Sequence, residues 1–303
     1  MPQPPTSAQP APPGEQATLS PLEFAAQGMR VFATARSTKS LAHLEAKGIE
    51  VLPLEVTSAE SISSLKAEVA KRTGGKLDML FNNAGTMYEI PAIEADSTRV
   101  RKMFDTNVFG VFDMINAFIP LLLASATDEN GSRPPPTIIN TASILGRLPF
   151  AFSAAYNATK AAVISYSDTL RLEVAPLGIK VVTVFMGEVS TGLMSADNIS
   201  FGQESLYSDV EANVRERSRQ HALKSISPEE FARRVVGAVL KEPAIGKGEF
   251  VWKGTNASLV WLLDAIGWRK IFDGTVKSRV GLDQQGIRKA IYDKGQRSVQ
   301  QGR

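Results

Sequence analysis

The sequence predicts an α/β fold, a doubly wound parallel sheet within a single domain. Three observations predict it. Short apolar runs at 30–34, 50–54, 77–81, 137–142 and 179–185, the last strongly β-branched, alternate with stretches of helical spacing such as 58–71 and 154–174. The 303 residues, 43% hydrophobic and 21% charged, suffice for one large α/β domain or two small ones. Thr141-Ala142-Ser143 closes one of the apolar runs, at the strand end where open α/β sheets place their ligands.

Composition removes several function classes. Without cysteine there is no disulfide framework and no thiol nucleophile, which suits a reducing, cytoplasmic setting. The net charge of +3 is small, and the basic residues are scattered rather than striped with aromatics, so no nucleic-acid partner is expected. His43 and His221 are the only histidines, and no Gly-x-Ser-x-Gly occurs; neither a metal site nor a hydrolase elbow is expected.

Residues 1–20 hold six prolines and no apolar core, and read as a disordered lead. Ser20-Pro21-Leu22-Glu23 predicts a helix start, with Ser20 as N-cap, Pro21 in the first turn and Gly28 as the stop. A strand follows at 30–34 and another at 50–54. Ile62, Leu65 and Val69 share one face of the helix at 58–71. The strand at 77–81 runs into Asn82-Asn83-Ala84-Gly85, a turn-forming run. A long helical region covers about 98–125. Residues 126–136, ending in three prolines, exceed what a connection needs and read as a surface insertion. Pro176 and Gly178 end the helix at 154–174. Residues 193–224 are polar and mobile in character, Ser227-Pro228-Glu229-Glu230 opens one more amphipathic helix, and 249–252 is the last strand.

The chemistry gathers at Tyr156-Asn157-Ala158-Thr159-Lys160. Positions i and i+4 share a helix face, so the phenol and the ammonium point into one cleft. A phenol titrates at about 10, and a cation held near it favours phenolate and brings that value toward neutrality. Tyr156 is then suited to give a proton to a carbonyl oxygen or take one from an alcohol, with Ser143 bonded to the same oxygen.

Asn82-Asn83-Ala84-Gly85, Asp105-Thr106-Asn107-Val108-Phe109-Gly110, Thr141-Ala142-Ser143 and Tyr156-x-x-x-Lys160 stand in the order, and at about the distances, found in short-chain dehydrogenases/reductases. The chain resembles that family from residue 21 to about 255. The resemblance implies a Rossmann-type sheet of about six or seven strands. It implies Asn107, Ser143, Tyr156 and Lys160 as the catalytic set, Lys160 lowering the Tyr156 pKa and Asn107 relaying protons to solvent. For the cofactor it implies Arg36, Glu55, Val56, Asn83, Ala84 and Gly85 at the adenosine side, and Tyr156, Lys160, Gly187, Val189 and Thr191 at the nicotinamide. Arg36, with no acidic neighbour at the strand end, suits the 2′-phosphate of NADPH; a solvated loop arginine is the alternative. Glu55 replaces the family's Asp, and Met186 its Pro.

One departure matters more. The family's first strand and its Thr-Gly-x-x-x-Gly-x-Gly turn are expected just before residue 21, and the sequence reads as lacking both. A shortened or misassembled start, or a genuine loss of the cofactor's phosphate site, are both open. The loss would make the chain a non-catalytic scaffold or partner-binding module.

Within the family, the runs at 32–36 and 104–110 and the Trp-bearing tail resemble fungal NADPH-dependent 1-acyldihydroxyacetone-phosphate reductases. That implies a small-molecule or lipid ketone substrate, with steroid, retinol or polyketide ketones as alternatives, and a peripheral endoplasmic-reticulum or lipid-droplet location. The tail, 256–303, carries an apolar face of Leu259, Leu262, Leu263 and Ile266 flanked by Trp261 and Trp268, with Arg269 and Lys270 after it. Interrupted by Asp264 and about eleven residues long, the apolar run is too short to cross a bilayer. Residues 257–272 either lie on a lipid surface or pack over the substrate mouth or a second copy of the chain.

Overall fold

The computed structural model describes residues 6–10, 16–126, 134–241, 244–266 and 271–300. Seven parallel strands, β1 (Thr6–Pro10), β2 (Arg30–Ala35), β3 (Glu50–Pro53), β4 (Met79–Asn82), β5 (Thr137–Ser143), β6 (Lys180–Met186) and β7 (Phe250–Lys253), form one sheet in the order β3-β2-β1-β4-β5-β6-β7. The order reverses direction at β1, which places the switch point, and the ligand crevice, beyond the carboxyl ends of β1 and β4.

Helices α1 (Gln16–Ala26), α2 (Ala42–Glu45) and α8 (Pro228–Lys241) cover one face. Phe24, Leu44, Phe231 and Val235 pack there on Val31, Phe81, Val182 and Val184. Helices α3 (Ala59–Thr73), α4 (Ser97–Phe104), α5 (Gly110–Leu123) and α6 (Ala154–Val174) cover the other, where Ile62, Leu65, Met114, Phe118 and Val163 meet Phe32, Leu80 and Ile138. Both strand faces are therefore apolar, as parallel sheets require. The continuous helix Ser97–Leu123 is apolar and long enough to span a membrane by composition; half of its most apolar stretch is buried in this core, which accounts for the composition.

The start of the chain differs from its sequence reading. Thr6–Pro10 is not part of a disordered lead: it is the first strand, pairing with β2 (Thr6 opposite Arg30, Pro10 opposite Thr34) and with β4. The tertiary frame decides this, because without β1 the facing edges of β2 and β4 would keep unpaired amides and carbonyls inside the domain. The first helix begins at Gln16, not at Ser20, so Pro21 lies within it and Ser20 is buried. The proposed insertion at 126–136 falls largely on 127–133, outside the described residues.

Where the signals were local they held. Ser58 caps α3 by accepting from Ser61 N at 3.2 Å, and Ser227 caps α8 through Glu230 N at 3.2 Å. The stretch 193–224 is more regular than its polarity suggested. Helix α7 (Ser208–Lys224) buries Val210 and Val214 against Ile90, Phe152 and Val280. The tail folds into three helices, α9 (Ala257–Ile266), α10 (Asp273–Val280) and α11 (Gln285–Gln300). Lys294 of α11 ties it to α7 through Ser208 Oγ at 2.7 Å and Asp209 at 2.8 Å.

Candidate active site

Strand β5 ends at Ser143 in extended conformation, and its Oγ accepts from Leu145 N at 3.1 Å, capping the turn at 144–146. The same hydroxyl donates to the Met186 carbonyl at 3.4 Å and is near enough to the Tyr156 phenol to favour its ionised form. Gly146 lets that turn sit on α6, since a Cβ there would come within 2.5 Å of Ile164 Cδ1 and 3.0 Å of the Lys160 carbonyl carbon. One helical turn along, Lys160 Nζ stands 5.8 Å from the Tyr156 ring centre and donates to the Thr141 carbonyl at 2.8 Å. The i, i+4 reading therefore holds in geometry: phenol, hydroxyl and ammonium meet at the carboxyl edge of β5.

The electrostatics differ from expectation. Burial pushes the Tyr156 phenol up to about 12, only partly offset by the bond with Ser143, and burial pushes Lys160 down to about 8. Burial of the phenol thus outweighs the anticipated lowering by Lys160, whose ammonium donates to the Thr141 carbonyl.

Asn107 sits in a π-turn, Asp105–Phe109, between α4 and α5. Its Oδ1 accepts from Thr86 N at 2.7 Å, and its Nδ2 donates to Thr86 O at 2.8 Å and Thr159 Oγ1 at 3.1 Å. The side chain thus clamps the segment after β4 to α6. Asn107→Ala would strand buried polar groups on both elements and is expected to cost ~2–4 kcal/mol in chemical denaturation with an unchanged slope, a loss under ~0.5 kcal/mol contradicting the clamp.

The residues assigned to the cofactor fall in two groups. Gly85 joins the catalytic set, a Cβ at that position lying 3.6 Å from Asn107 Oδ1 and 3.7 Å from Lys160 Nζ. Asn83 Oδ1 accepts from Thr141 Oγ1 at 3.0 Å, with Ala84 between them in sequence. Gly187 and Thr191 line the same cavity as Ser143 and Tyr156. Val189 lines it too, although it is buried among the core residues of the α8 face. Arg36 is exposed at the end of β2. The Glu55 carboxylate accepts from Thr57 N at 3.2 Å and Oγ1 at 3.0 Å, closing its own turn, while Val56 is buried and packed on Gly110.

A cavity of about 800 Å³ opens from Ser143 and Tyr156. Leu145, Leu148, Phe150, Leu193 and Met194 line it, and the tail adds Leu259, Val260, Leu263, Phe272 and Val276. Of the two sequence readings of 257–272, packing over the mouth is the arrangement of α9, whose Ala257 and Val260 are buried, while Trp261, Leu262 and Ile266 remain exposed; Trp268, Arg269 and Lys270 lie outside the described residues. Several cavity residues escaped the sequence reading. Arg217 lines the cavity in a buried ion pair with Glu89, which also accepts from Ser153 Oγ at 3.3 Å; burial dominates and raises the Glu89 carboxyl. Partners 128 residues apart leave no local pattern.

A doubly wound parallel sheet whose strand ends gather a serine, a tyrosine, a lysine and a clamped asparagine defines a nucleotide-dependent oxidoreductase. The chain belongs to the short-chain dehydrogenase family: the family model described as short chain dehydrogenase matches residues 21–200. It is 38% identical to the short-chain dehydrogenase virD of Hypocrea virens over 253 residues, 83% of this chain and 84% of that one. It is 37% identical to the NADPH-dependent 1-acyldihydroxyacetone phosphate reductase of Schizosaccharomyces pombe over 216 residues, 70% of each. A solved short-chain dehydrogenase from Streptomyces avermitilis superposes with a TM-score of 0.71 at 27% identity, covering 93% of this chain and all of that one.

Proposed function

We propose that this chain is an NADPH-dependent reductase that converts the carbonyl of a large, apolar, lipid-type ketone into an alcohol. The observation that carries the reading is that Ser143 and Tyr156, with Lys160 Nζ 5.8 Å from the Tyr156 ring, open on one cavity whose lining includes Leu145, Leu148, Phe150, Val260 and Leu263.

The residues present fit the cofactor at two of its three parts. Gly85 leaves backbone space beside Lys160 at the nicotinamide ribose, and Arg36 at the β2 end offers a fork for a 2′-phosphate. At the pyrophosphate, α1 has no acid in its first turn, but the sequence between β1 and α1 lacks the family's Thr-Gly-x-x-x-Gly-x-Gly pattern. Bound NADPH supplies the hydride. Tyr156, kept protonated at neutral pH by its burial, gives its proton to the carbonyl oxygen as negative charge grows there. Ser143 Oγ donates to the same oxygen, and the Lys160 ammonium would hold the nicotinamide ribose, while Asn107 carries the relay that restores the Tyr156 proton.

The S. pombe relative's name and the exposed Lys224 and Arg279 at the cavity rim support an acylated ketone phosphate. The outward Trp261, Leu262 and Ile266 support a peripheral contact with a lipid surface; a second copy of the chain would cover the same face, and vesicle flotation against sizing in solution separates the two.

The test is NADPH consumption with 1-acyldihydroxyacetone phosphate, methyl nonyl ketone and butanone. At ~0.8 kcal/mol per buried methylene, the two long-chain substrates are expected to exceed butanone by at least about a hundredfold in kcat/KM, and equal values would defeat the apolar-substrate reading. Arg36→Asp is expected to weaken NADPH relative to NADH by about a hundredfold, since each charge-assisted bond to the phosphate contributes ~1.5–3 kcal/mol.

A further inference from the structure

Glu188 stands in the loop after β6, between Gly187 and Val189, and three separate elements converge on its carboxylate. Asn256 Nδ2, from the turn that links β7 to α9, donates to Oε1 at 2.8 Å. His221 Nδ1 of α7 lies 3.5 Å from Oε2, and Arg279 Nη1 of α10 lies 4.0 Å from Oε1. Burial raises this carboxyl, but the bonds from His221 and Asn256 and the charges of His221 and Arg279 outweigh it and hold it below its usual range.

The backbone around it is built for close approach. Glu188 N donates to Thr255 O and Thr255 N to Glu188 O, both at 3.0 Å. A Cβ on Gly187 would fall 2.4 Å from Thr255 O, and one on Gly254, whose φ is +108°, would fall 2.9 Å from Gly187. Asn256 itself adopts φ +64°, a left-handed conformation that asparagine enters more readily than most residues, and its side chain is fixed there by the bond to Glu188. His221 also reaches back to the same loop, its Nε2 3.3 Å from Val189 O.

We propose that Glu188 is a positioning and specificity-determining residue, which fastens the outer walls of the substrate cavity, α7 and the tail segments 254–266 and 271–284, to the loop beside Tyr156 and Ser143. It touches no reacting atom in this scheme. Its effect is on the wall carrying Val260, Leu263, Phe272 and Val276, and so on substrates long enough to reach that wall. The kinetic half of this proposal rests on the reductase reading above.

The experiment compares the full chain with Glu188→Ala and Glu188→Gln, with NADPH and the two ketones named above. Glu188→Ala is expected to raise KM for methyl nonyl ketone about tenfold, with kcat falling less than about threefold, and to move KM for butanone less than about twofold. Glu188→Gln keeps an acceptor for Asn256 but loses the charge facing His221 and Arg279; its KM is expected in between. Hydrogen exchange of peptides spanning 254–266 and 273–280 is expected to quicken about tenfold in Glu188→Ala, and by less in Glu188→Gln. Unchanged exchange in both variants, or equal KM rises for both ketones, overturns the proposal. Turnover of neither ketone by the unaltered chain defeats the reductase reading, and the exchange result then decides the role of Glu188 alone. If Glu188→Ala does not fold, Glu188→Gln carries the same comparison.

Discussion

Tyr156→Phe is expected to lower kcat for ketone reduction by about a thousandfold, within the range general acid catalysis commonly supplies. Phe fills the volume of Tyr without its hydroxyl, so the packing on Met103, Ile144, Leu145, Ala257 and Val260 is kept and the fold should hold. What is lost is the proton that burial holds on the phenol up to about pH 12. Lys160 cannot take over: its ammonium is engaged by the Thr141 carbonyl. The pH profile of the unaltered chain gives an independent check. Lys160 has a depressed pKa of about 8, so it is charged below that pH and neutral above it, while Tyr156 keeps its proton throughout. The rate should therefore be level below about pH 8 and fall by one proton above it. Steady-state NADPH consumption measures both, and unaltered turnover in Tyr156→Phe would move the chemistry away from this site.

Rebuilding the turn after β1 is expected to tighten NADPH binding by about a thousandfold. The sequence there is Ala11-Pro12-Pro13-Gly14-Glu15. Pro12 and Pro13 have no N–H to offer a phosphate, and Glu15 carries a charge of the same sign as a phosphate. The family's glycine-rich turn would supply three or four charge-assisted bonds, and losing them at ~1.5–3 kcal/mol each leaves a deficit on the order of 5 kcal/mol. Fluorescence titration of the chain carrying a Thr-Gly-x-x-x-Gly-x-Gly turn, beside the unaltered chain, reads the difference directly. Micromolar binding by the unaltered chain would show that the amide end of α1 and the remaining contacts suffice. No binding by either would turn the argument toward a scaffold that has left the cofactor behind.

The parts of the fold that were legible rest on short-range signals. Helix α6 is bounded by Pro176 and Gly178 and carries Tyr156 and Lys160 on one face, a relation that needs only helical geometry. Ser143 at the end of an apolar strand needs only the strand. The misreadings share a cause. The composition of Thr6–Pro10 argues for disorder, yet two neighbouring strands supply the partners that make it β1. Pro21 looks like a helix start, yet the chain leaving β1 must already be helical by Gln16. The position of the Tyr156 pKa was read from one neighbour's charge, whereas the desolvation that dominates it comes from the whole enclosing fold.

By itself, then, the amino-acid order determined the alternation of strands and helices and the placing of Tyr156 and Lys160 on one helix face, because periodicity, caps and i, i+4 neighbours act over a few residues. The tertiary structure alone decided that the first strand exists, that α9 and α10 wall the substrate cavity, and that Glu89 meets Arg217 and Glu188 meets Asn256. Those outcomes depend on strand edges seeking partners and on charges losing their water, and both are set by residues far apart in the chain.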